Sequence, residues 1–402
     1  MTWPAAPLGS VADVQLGKML SPKAKTGKTA FPYLRNVNVQ WGRIDLSNLV
    51  EMDFDGRERE KFSLRRGDLI VCEGGEPGRC AVVDRDLTGV YFQKALMRVR
   101  PRDGSLDTRF LLRFMEFAAQ RGTFIKDGNQ ATIAHFPAVK LNALEVPLPP
   151  LPEQRRIADV LEKADTIRRK RKEAIALTEE LLRSAFLEMF GDPVANPKGW
   201  PTETIDDLCS RGAGLVDGPF GSSLKPEHYV PSGVKVVRNW NIYDDRFDFS
   251  EFKHVTPAKF EDLRRSEVLS GDVLITTKGT VGDVCVAPDL GGPAVLSASG
   301  TVRLRVPPDE SYLPEFVVGQ MTTQRYKRYL HTFEAGSAQQ YLNLSAIRKM
   351  RLIRPPKKEQ VVFRAFRARV RESQRDMIDA DNQVEGLFSS LVAWAFSGGL
   401  SS

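Results

Sequence analysis

The longest regular pattern in the chain is a stretch from residue 153 to residue 190 that contains neither glycine nor proline. Its residues are strong helix formers, so the stretch predicts one continuous helix. A proline cluster precedes it, and Pro152 can serve as its first residue. Gly191 and Pro193 then end it. At 1.5 Å per residue this helix is about 55 Å long, which is too long for one globular core and predicts a partner helix.

A second helix of the same kind is predicted near the C-terminus. Residues 355–360 repeat the prolines, glutamate and glutamine that precede the first helix. Apolar residues recur in both helices at alternating steps of three and four, the spacing of a helix–helix seam. The alternative is that each helix packs only on its own domain. The predicted seam residues are Ile157, Val160, Ala164, Ile167 and Leu181 in the first helix and Phe363, Phe366, Val370, Met377, Val384, Leu387 and Leu391 in the second.

Charges predict the direction of this helix pair. Residues 168–172 read Arg-Arg-Lys-Arg-Lys. In an antiparallel pair this run lies opposite acidic residues between 376 and 385, whereas in a parallel pair it faces arginines between 367 and 375. One exposed ion pair contributes only about 0–1 kcal/mol, but several that change sign together favour one orientation. We therefore expect an antiparallel pair, although the basic run is also typical of a phosphate-binding patch or a solvated helix face.

The chain also contains an internal repeat, and this repeat predicts its domains. YLRNVNV at 33–39 matches VVRNWNI at 236–242, and GDLIV at 67–71 matches GDVLI at 271–275. Short β-branched runs between turn residues predict strands, and helical spacing recurs within each copy, as at 314–330. The predicted fold class is α+β, with two similar domains, two long helices in an antiparallel coiled coil and a pseudo-twofold repeat. The predicted segments are domain 1 at 1–150, a spacer helix at 151–197, domain 2 at 198–356 and a second spacer helix at 357–402.

Composition excludes several protein classes. No apolar run approaches the length of a membrane span, and the first residues lack the basic and apolar segments of a signal peptide. A cytoplasmic protein is therefore expected. The four cysteines have no CxxC spacing and the four histidines have no metal-ligand spacing, so we expect reduced thiols and no metal site. The net charge of +7 falls mostly in residues 1–150 and permits nucleic-acid binding without requiring it.

The sequence carries no complete catalytic motif. A phosphate-binding P-loop needs a glycine five residues before its Gly-Lys pair, and Gly27-Lys28 has Pro22 at that position. The sequence also lacks the Pro-Pro box of adenine methyltransferases. A metal nuclease needs clustered carboxylates, but Asp272 in the second copy lacks the extra acid that follows Asp68 in the first. Both aspartates are interpreted as turn residues that open a strand, so a non-catalytic protein is expected.

The order of these elements resembles one protein family. PLPPLPEQRRIADVL, the long helix and FGDPVANPKGW resemble the central region of type I restriction–modification specificity (S) subunits. PYLRNVNVQWGRIDL and DGPFGSSLKPEHYVPSGVKVVRNWNI resemble the target recognition domains of that family. The resemblance covers essentially the whole chain. One departure is that the second copy reads PPKKEQ where the first reads PPLPEQ, and so lacks the helix-initiating proline.

The resemblance implies a DNA-reading subunit with no chemistry of its own. Each recognition domain would read one half of a bipartite DNA site, and the helices would set the spacing and dock the partners. The implied partners are double-stranded DNA, two methyltransferase (M) subunits that use S-adenosylmethionine, and restriction (R) subunits that use ATP and Mg; this chain itself would bind no cofactor. Two other classes stay open: a coiled-coil scaffold that does not bind DNA and, less favoured, an autonomous DNA-modifying enzyme.

Polar and basic loop residues are the candidates for DNA contact. Lysines in a loop rich in small residues suit phosphates, whereas arginine and asparagine can read guanine and adenine edges. The repeated Arg-Asn pair has an alternative role, in which it fixes a turn inside each domain. Residues that differ between the copies are the better specificity candidates. The candidates are Lys18, Lys23, Lys25, Lys28, Arg35, Asn36, Asn38, Gln40, Trp41, Arg43 and Arg79 in the first copy and Lys225, Arg238, Asn239, Asn241, Tyr243, Lys278, Gln339, Gln340 and Tyr341 in the second.

Overall fold

The chain divides into two compact units in the computed structural model. Unit 1 comprises residues 1–172 and 380–402, and unit 2 comprises residues 173–379. Two helices of 40 residues each contribute to both units. The described residues are 3–21, 26–124, 135–212, 214–219, 223–298, 300–307, 311–336 and 340–396.

Unit 1 contains a four-stranded antiparallel sheet and a smaller three-stranded sheet. Its elements in chain order are β1 (Ala5–Pro7), α1 (Leu8–Val11), β2 (Ala12–Leu16), β3 (Ala30–Leu34), β4 (Val39–Gln40), β5 (Arg43–Ile44), β6 (Val50–Asp53), α2 (Gly56–Lys61), β7 (Leu69–Cys72), β8 (Cys80–Val82), β9 (Tyr91–Phe92), β10 (Leu96–Pro101), α3 (Thr108–Gln120), α4 (Ala138–Asn142), β11 (Glu145–Pro147) and α5 (Leu151–Phe190). The larger sheet has the order β2-β10-β7-β8 and the smaller one β6-β3-β9. Strands β3 and β9 are parallel.

Unit 2 repeats this arrangement. Its elements are β12 (Thr202–Thr204), α6 (Ile205–Ser210), β13 (Gly214–Asp217), β14 (Tyr229–Val230), β15 (Val234–Val237), β16 (Ile242–Tyr243), β17 (Arg246–Phe247), β18 (Lys253–Val255), α7 (Pro257–Asp262), β19 (Val273–Thr276), β20 (Val284–Val286), β21 (Ala294–Leu296), β22 (Thr301–Arg305), α8 (Pro314–Met321), α9 (Gln324–His331), α10 (Leu344–Arg348), β23 (Arg351–Ile353) and α11 (Lys357–Phe396). One sheet has the order β13-β22-β19-β20, and the other, β14-β18-β15-β21, again contains one parallel pair, β15 with β21.

Local sequence explains most of these elements. Every residue of β7 and of β19 is buried, as expected for apolar runs that lie in the middle of a covered sheet. The Asp107 carboxylate caps α3 by accepting hydrogen bonds from the first backbone N–H groups of that helix. The helical pattern at 314–330 forms two helices rather than one, because Thr323 leaves the helical conformation and its hydroxyl caps α9.

In unit 1 the start of α5 and the end of α11 complete the domain core. Ile157 and Leu161 of α5 and Val392 of α11 have no exposed surface and pack in one cluster with Phe110 of α3. Arg168 of α5 pairs with Glu385 of α11 at 3.1 Å. An early α5 residue thus shares the core with a late α11 residue, so the two helices run in opposite directions within this unit.

In unit 2 the end of α5 and the start of α11 play the same part. The ring centroids of Phe186 and Phe363 lie 5.4 Å apart, and Phe316 of α8 packs against Phe186 at 5.5 Å. Glu179 of α5 pairs with Arg371 of α11 at 2.7 Å. The helices therefore run in opposite directions within this unit too.

The predicted helix seam is wrong at three positions. Ile167 is 53% exposed, Leu181 is 49% exposed and Leu387 is 68% exposed. Polar residues are buried on the helices instead: Asp165 is 5% exposed and Gln374 is 2% exposed. Of the other predicted seam residues, Ile157 and Phe363 are buried, and the half-buried ones are Val160, Ala164, Phe366, Val370, Met377, Val384 and Leu391.

Buried polar side chains on the helices are compensated by direct partners. In unit 2 the Gln374 side-chain amide donates to Thr178 and to Glu179 at 2.8 Å each. In unit 1 Arg113 and Arg168 both bind the carboxylate of Asp165. Because burying an unpaired polar group is costly, these pairings explain why polar residues occupy positions that a count of apolar residues assigns to leucine or isoleucine.

Candidate nucleic-acid interface

A turn of sequence Arg-Asn-X-Asn, here called the Arg-Asn turn, occurs at residues 35–38 of unit 1. Asn38 is 2% exposed. Its Oδ1 accepts a hydrogen bond from the Arg35 backbone N–H at 2.9 Å, and its Nδ2 donates to the carbonyl oxygens of Asp45 at 3.1 Å and Asn48 at 3.2 Å. The side chain is therefore used inside the domain.

The Arg-Asn turn of unit 2, residues 238–241, has the same geometry. Asn241 has no exposed surface. Its Oδ1 accepts from the Arg238 backbone N–H at 2.9 Å, and its Nδ2 donates to the carbonyl oxygens of Asp248 at 3.0 Å and Glu251 at 2.9 Å. The alternative role, fixing a turn inside the domain, thus describes the second asparagine of both copies.

Because the second asparagine points inward, the residue before it points outward. Val37 is 62% exposed and Trp240 is 39% exposed. Sequence reasoning singled out neither residue as a contact candidate. The usable signal was an apolar residue inside a polar turn, next to an asparagine that must face inward to close that turn.

A glycine-containing loop adjoins the Arg-Asn turn in both units. In unit 1 the Asn36 side-chain amide donates to the carbonyl oxygen of Gly74 at 3.0 Å. In unit 2 a Cβ added at Gly279 would lie 3.1 Å from Nδ2 of Asn239, and Gly279 has a φ of +82°. Glycine is required there for the backbone conformation and also leaves room for the asparagine.

In unit 2 a third loop meets these two. The Leu342 backbone N–H donates to the carbonyl oxygen of Thr277 at 3.0 Å. Lys278, which is exposed, and Tyr341, which is 37% exposed, both line a cleft of about 440 Å³. The structure thus gathers the predicted residues Asn239, Lys278 and Tyr341. Gln340 is exposed on the same loop, and Gln339 lies outside the described residues.

In unit 1 the equivalent meeting point carries different side chains. The Phe136 backbone N–H donates to the carbonyl oxygen of Glu73 at 2.7 Å, which matches the bond between Leu342 and Thr277 in unit 2. By this correspondence Gly74 stands where unit 2 has Lys278, and His135 stands where it has Tyr341. The two units therefore share the backbone contact between these loops but expose different side chains beside it.

The lysine-containing loop of unit 1, here called the basic loop, is held at residues 26–29 by the carboxylate of Asp53. The backbone N–H groups of Thr26, Gly27 and Thr29 donate to Asp53 at 2.5, 3.1 and 2.7 Å. The bond from Thr29 is the largest influence on Asp53, and together with the other donors it outweighs burial and lowers the pKa of Asp53 to about 2. This ring of donors holds the loop against β6.

The lysines of that loop differ in their environments. The Lys18 ammonium binds the carbonyl oxygen of Asp53 at 2.6 Å and the carboxylate of Glu58 at 2.5 Å, so it is engaged within the domain. Lys28 is exposed. Lys23 and Lys25 lie outside the described residues.

Of four other predicted residues in unit 1, two are joined at the glycine loop. Glu76 accepts hydrogen bonds from the Trp41 indole at 2.7 Å and from the Arg79 guanidinium at 3.0 Å. Gln40 is half-buried and Arg43 is exposed. Trp41 and Arg79 are therefore joined through one carboxylate, while Arg43 has a side chain open to solvent.

In unit 2 the hairpin of β16 and β17 is fastened to helix α11. Asp245, at the tip of the hairpin with a φ of +58°, forms ion pairs with Arg367 and Arg371. Tyr243, beside this tip, is 42% exposed. Lys225 lies elsewhere on the unit, exposed and 3.6 Å from Glu227.

The aspartates that open β7 and β19 are structural. Asp68 accepts from the Arg65 backbone N–H at 2.8 Å and binds the Arg100 guanidinium through both oxygens, at 2.6 and 2.7 Å. Asp272 forms the same pair with Arg305 at 2.7 and 2.8 Å. Within the described part of the chain, no three His, Cys, Asp or Glu residues are grouped to hold a metal ion. In that same part, no helix is long and apolar enough to cross a membrane.

Comparison with known families places residues 2–177 in the type I restriction modification DNA specificity domain. The chain is 22% identical over 302 residues to a Methanocaldococcus jannaschii protein named as the MjaX type I restriction enzyme specificity subunit, covering 71% of this chain and 69% of that one. It is 22% identical over 300 residues to the EcoBI specificity subunit of Escherichia coli, covering 68% of this chain and 62% of that one.

Two solved structures share the fold. One is a chain from a study of complex assembly and conformational transition in a type I R-M system, with a TM-score of 0.56, 18% identity and coverage of 98% and 97% of the two chains. The other is the type I S subunit from M. genitalium, with a TM-score of 0.55, 15% identity and coverage of 98% and 96%. The specificity-domain match over residues 2–177 and the two curated relatives confirm the resemblance read from the sequence: the chain is similar to type I restriction–modification specificity subunits, and its fold is shared with two solved chains from such systems.

Proposed function

We propose that this chain reads DNA sequence for a type I restriction–modification complex and that each recognition domain reads one half of a bipartite site. The observation that carries the proposal is that both units contain the same four-stranded sheet order, β2-β10-β7-β8 in unit 1 and β13-β22-β19-β20 in unit 2, and the same Arg-Asn turn. In each unit the Arg-Asn turn, the glycine-containing loop and a third loop come together. Their exposed residues differ between the units, since Lys278 in unit 2 corresponds to Gly74 in unit 1. Such a design lets two domains share a docking geometry and read different bases.

The long helices set the distance between the two half-sites and dock the methyltransferase subunits. Support comes from their surface. Ile167, Leu177, Leu181 and Leu387 are apolar and between 49% and 68% exposed. Exposed apolar residues that recur on long helices mark a protein-binding surface. The polar contacts on the inner side of α5 and α11 leave these residues free for a partner.

The partners follow from this role. The chain binds double-stranded DNA, two M subunits that carry S-adenosylmethionine, and R subunits that use ATP and Mg. It contributes sequence selection and binds no cofactor itself. The complex acts in the cytoplasm, where the DNA lies. The rival function, a scaffold that does not contact DNA, lacks a reason for two loop clusters that differ on one frame.

The first test is binding of the full chain to a duplex pool with randomised positions, at several salt concentrations. The expected result is selective enrichment of a site with two separated halves and an affinity that falls as salt rises. Equal binding to all duplexes, or none, would support the scaffold.

The second test is modularity. Residues 1–150 are replaced by the corresponding domain of another family member, and methylated adenines are mapped in the presence of the M subunits. The expected result is a change in one half-site only. A change in both half-sites would mean that the domains do not read independently.

A further inference from the structure

The Arg238 guanidinium of unit 2 lies over the Trp240 ring, with its central carbon 3.0 Å from the ring centroid. Trp240 is 39% exposed and Arg238 is half-buried. Stacking on an aromatic face holds a guanidinium in one plane while its N–H edge stays available. The pair is therefore a fixed, planar donor at the surface of the Arg-Asn turn.

This guanidinium has no internal acceptor among the described residues. Among the described residues, no carboxylate lies within salt-bridge distance of it and no group accepts a hydrogen bond from it. Burial lowers the pKa of Arg238 from its ordinary value, although Tyr229 and Glu251 act in the opposite direction. A partly desolvated cation without a partner is costly in isolation, and a ligand with paired acceptors would compensate it.

The equivalent arginine of unit 1 is used differently. The Arg35 guanidinium donates to the carbonyl oxygen of Asn48 at 3.1 Å, while its buried Nε has no hydrogen-bond partner among the described residues. Val37 stands where unit 2 has Trp240, so Arg35 has no ring on which to stack. Both arginines are half-buried, so the same sequence motif gives one guanidinium a carbonyl acceptor within its domain and leaves the other on a ring without one among the described residues.

We infer that Arg238 reads a guanine in the half-site of unit 2, positioned by Trp240, and that Arg35 has no base-reading role. This deepens the proposed function and rests on it. The contact would be a bidentate pair from the guanidinium to O6 and N7 of guanine in the major groove, which is a common specific contact between arginine and DNA. Lys278 and Tyr341 line a cleft in the same unit, and Lys278 lies on the loop that adjoins Asn239, the residue after Arg238.

The test compares five full-length proteins, the wild type and four variants, on duplexes selected by the wild type, each with every single-base substitution. Arg238→Met removes both the charge and the planar fork. Arg238→Lys keeps the charge but loses the planar fork. Trp240→Val installs the residue type of unit 1. Arg35→Lys is the matched control on the other turn. Thermal unfolding of each variant verifies that it folds.

The expected result is confined to one position of one half-site. Arg238→Lys lowers the preference for guanine there by about 5- to 150-fold, while the dependence of affinity on salt stays unchanged because the charge is kept. Trp240→Val reduces the same preference by a smaller factor. Arg35→Lys leaves every base preference as in the wild type.

Three outcomes would contradict the inference, and they are distinguishable. An Arg238→Lys protein with the wild-type base profile overturns the base-reading role but leaves the proposed function intact. An Arg238→Met protein that loses affinity equally for all duplexes, with a weaker salt dependence, assigns Arg238 to a phosphate. A wild-type chain without any sequence preference removes the proposed function itself.

Discussion

Gln154 and Gln360 occupy equivalent places in the two units and make the same three hydrogen bonds. Both have no exposed surface. Each accepts from one backbone N–H and donates to two carbonyl oxygens, which joins the start of a long helix to the loop before α3 or α8. The partners are the Asp107 N–H with the Ser105 and Pro149 carbonyls for Gln154, and the Leu313 N–H with the Ser311 and Pro355 carbonyls for Gln360.

Replacement of Gln360 by leucine should destabilise unit 2. The change leaves a buried N–H and two carbonyl oxygens without the amide, and each unsatisfied buried group costs about 1–3 kcal/mol. We expect the free energy of unfolding, measured by urea denaturation, to fall by about 2–4 kcal/mol. Gln383→Leu, on an exposed side of α11, is the control and should be near neutral. A neutral Gln360→Leu variant would show that these bonds add nothing to stability.

Two glycines of the helices should respond in opposite directions to alanine. A Cβ at Gly319 would lie 2.6 Å from Phe363 and 2.9 Å from Phe186, whereas a Cβ at Gly386 meets nothing within 4 Å. Overpacking of a core costs about 1–3 kcal/mol, and alanine in an open helix position gains up to about 1 kcal/mol. Thermal unfolding should show a lower midpoint for Gly319→Ala and a higher one for Gly386→Ala; equal shifts would contradict the packing of Phe186 against Phe363.

Acid stability should depend on Glu179. Burial raises the pKa of Glu179, but hydrogen bonds and charge from Arg371 outweigh it and leave the pKa below its ordinary value. The carboxylate therefore stabilises the folded state above the unfolded pKa of about 4.3, and this stabilisation is lost as pH falls through the lower folded pKa. Urea unfolding at pH 7 and near pH 3 should show a smaller acid loss for Glu179→Gln than for the wild type. Glu180→Gln, at an exposed neighbour, should keep the wild-type loss.

The basic loop should open when Asp53 loses its charge. Asp53→Asn removes the carboxylate that accepts from Thr26, Gly27 and Thr29, so amide hydrogen exchange at these three residues should accelerate. In the wild type the same opening is expected only as pH approaches about 2, because a lowered folded pKa keeps the anchor charged above it. Asp45→Asn, which changes another turn carboxylate of unit 1, is the control. Unchanged exchange in Asp53→Asn would mean that the loop is held by other contacts.

Helix direction can be checked by crosslinking. Cysteines placed at Arg168 and Glu385, in a protein whose four native cysteines are replaced, should be joined within one chain by a short bifunctional thiol reagent, because these two side chains contact each other between the helices. Mass spectrometry of the digested protein identifies the crosslink. A crosslink between positions 170 and 376, offered in a parallel experiment, would contradict the antiparallel arrangement.

The sequence predicted the large features because they depend on local patterns. Helix formers without glycine or proline are sufficient to predict α5, and repeated heptapeptides are sufficient to predict two similar domains. The helix seam was only partly predictable. Ile167 and Leu387 fit an apolar spacing, but Asp165 and Gln374 are buried because specific partners on other elements satisfy them, and that pairing is not visible in a local window.

The DNA contact candidates were also only partly predictable from local sequence. Asn38 and Arg35 belong to the types of residue that read bases, and residue type alone could not reveal that Asn38 is turned inward by the carbonyl groups of a later loop. Trp240 was missed because apolar residues are normally assigned to a core. Its exposure follows from the direction of its neighbour Asn241, which depends on carbonyl groups seven and ten residues further along the chain.

Because α11 contributes to both units, the cores of the two units are completed in a fixed order during synthesis. Residues 1–172 leave the ribosome long before Phe388 and Val392, which fill the core of unit 1 beside Ile157 and Leu161. Unit 2 is continuous in sequence, so all its residues are synthesised before Phe388 and Val392. The N-terminal domain, although translated first, is therefore the last to receive all the residues of its core.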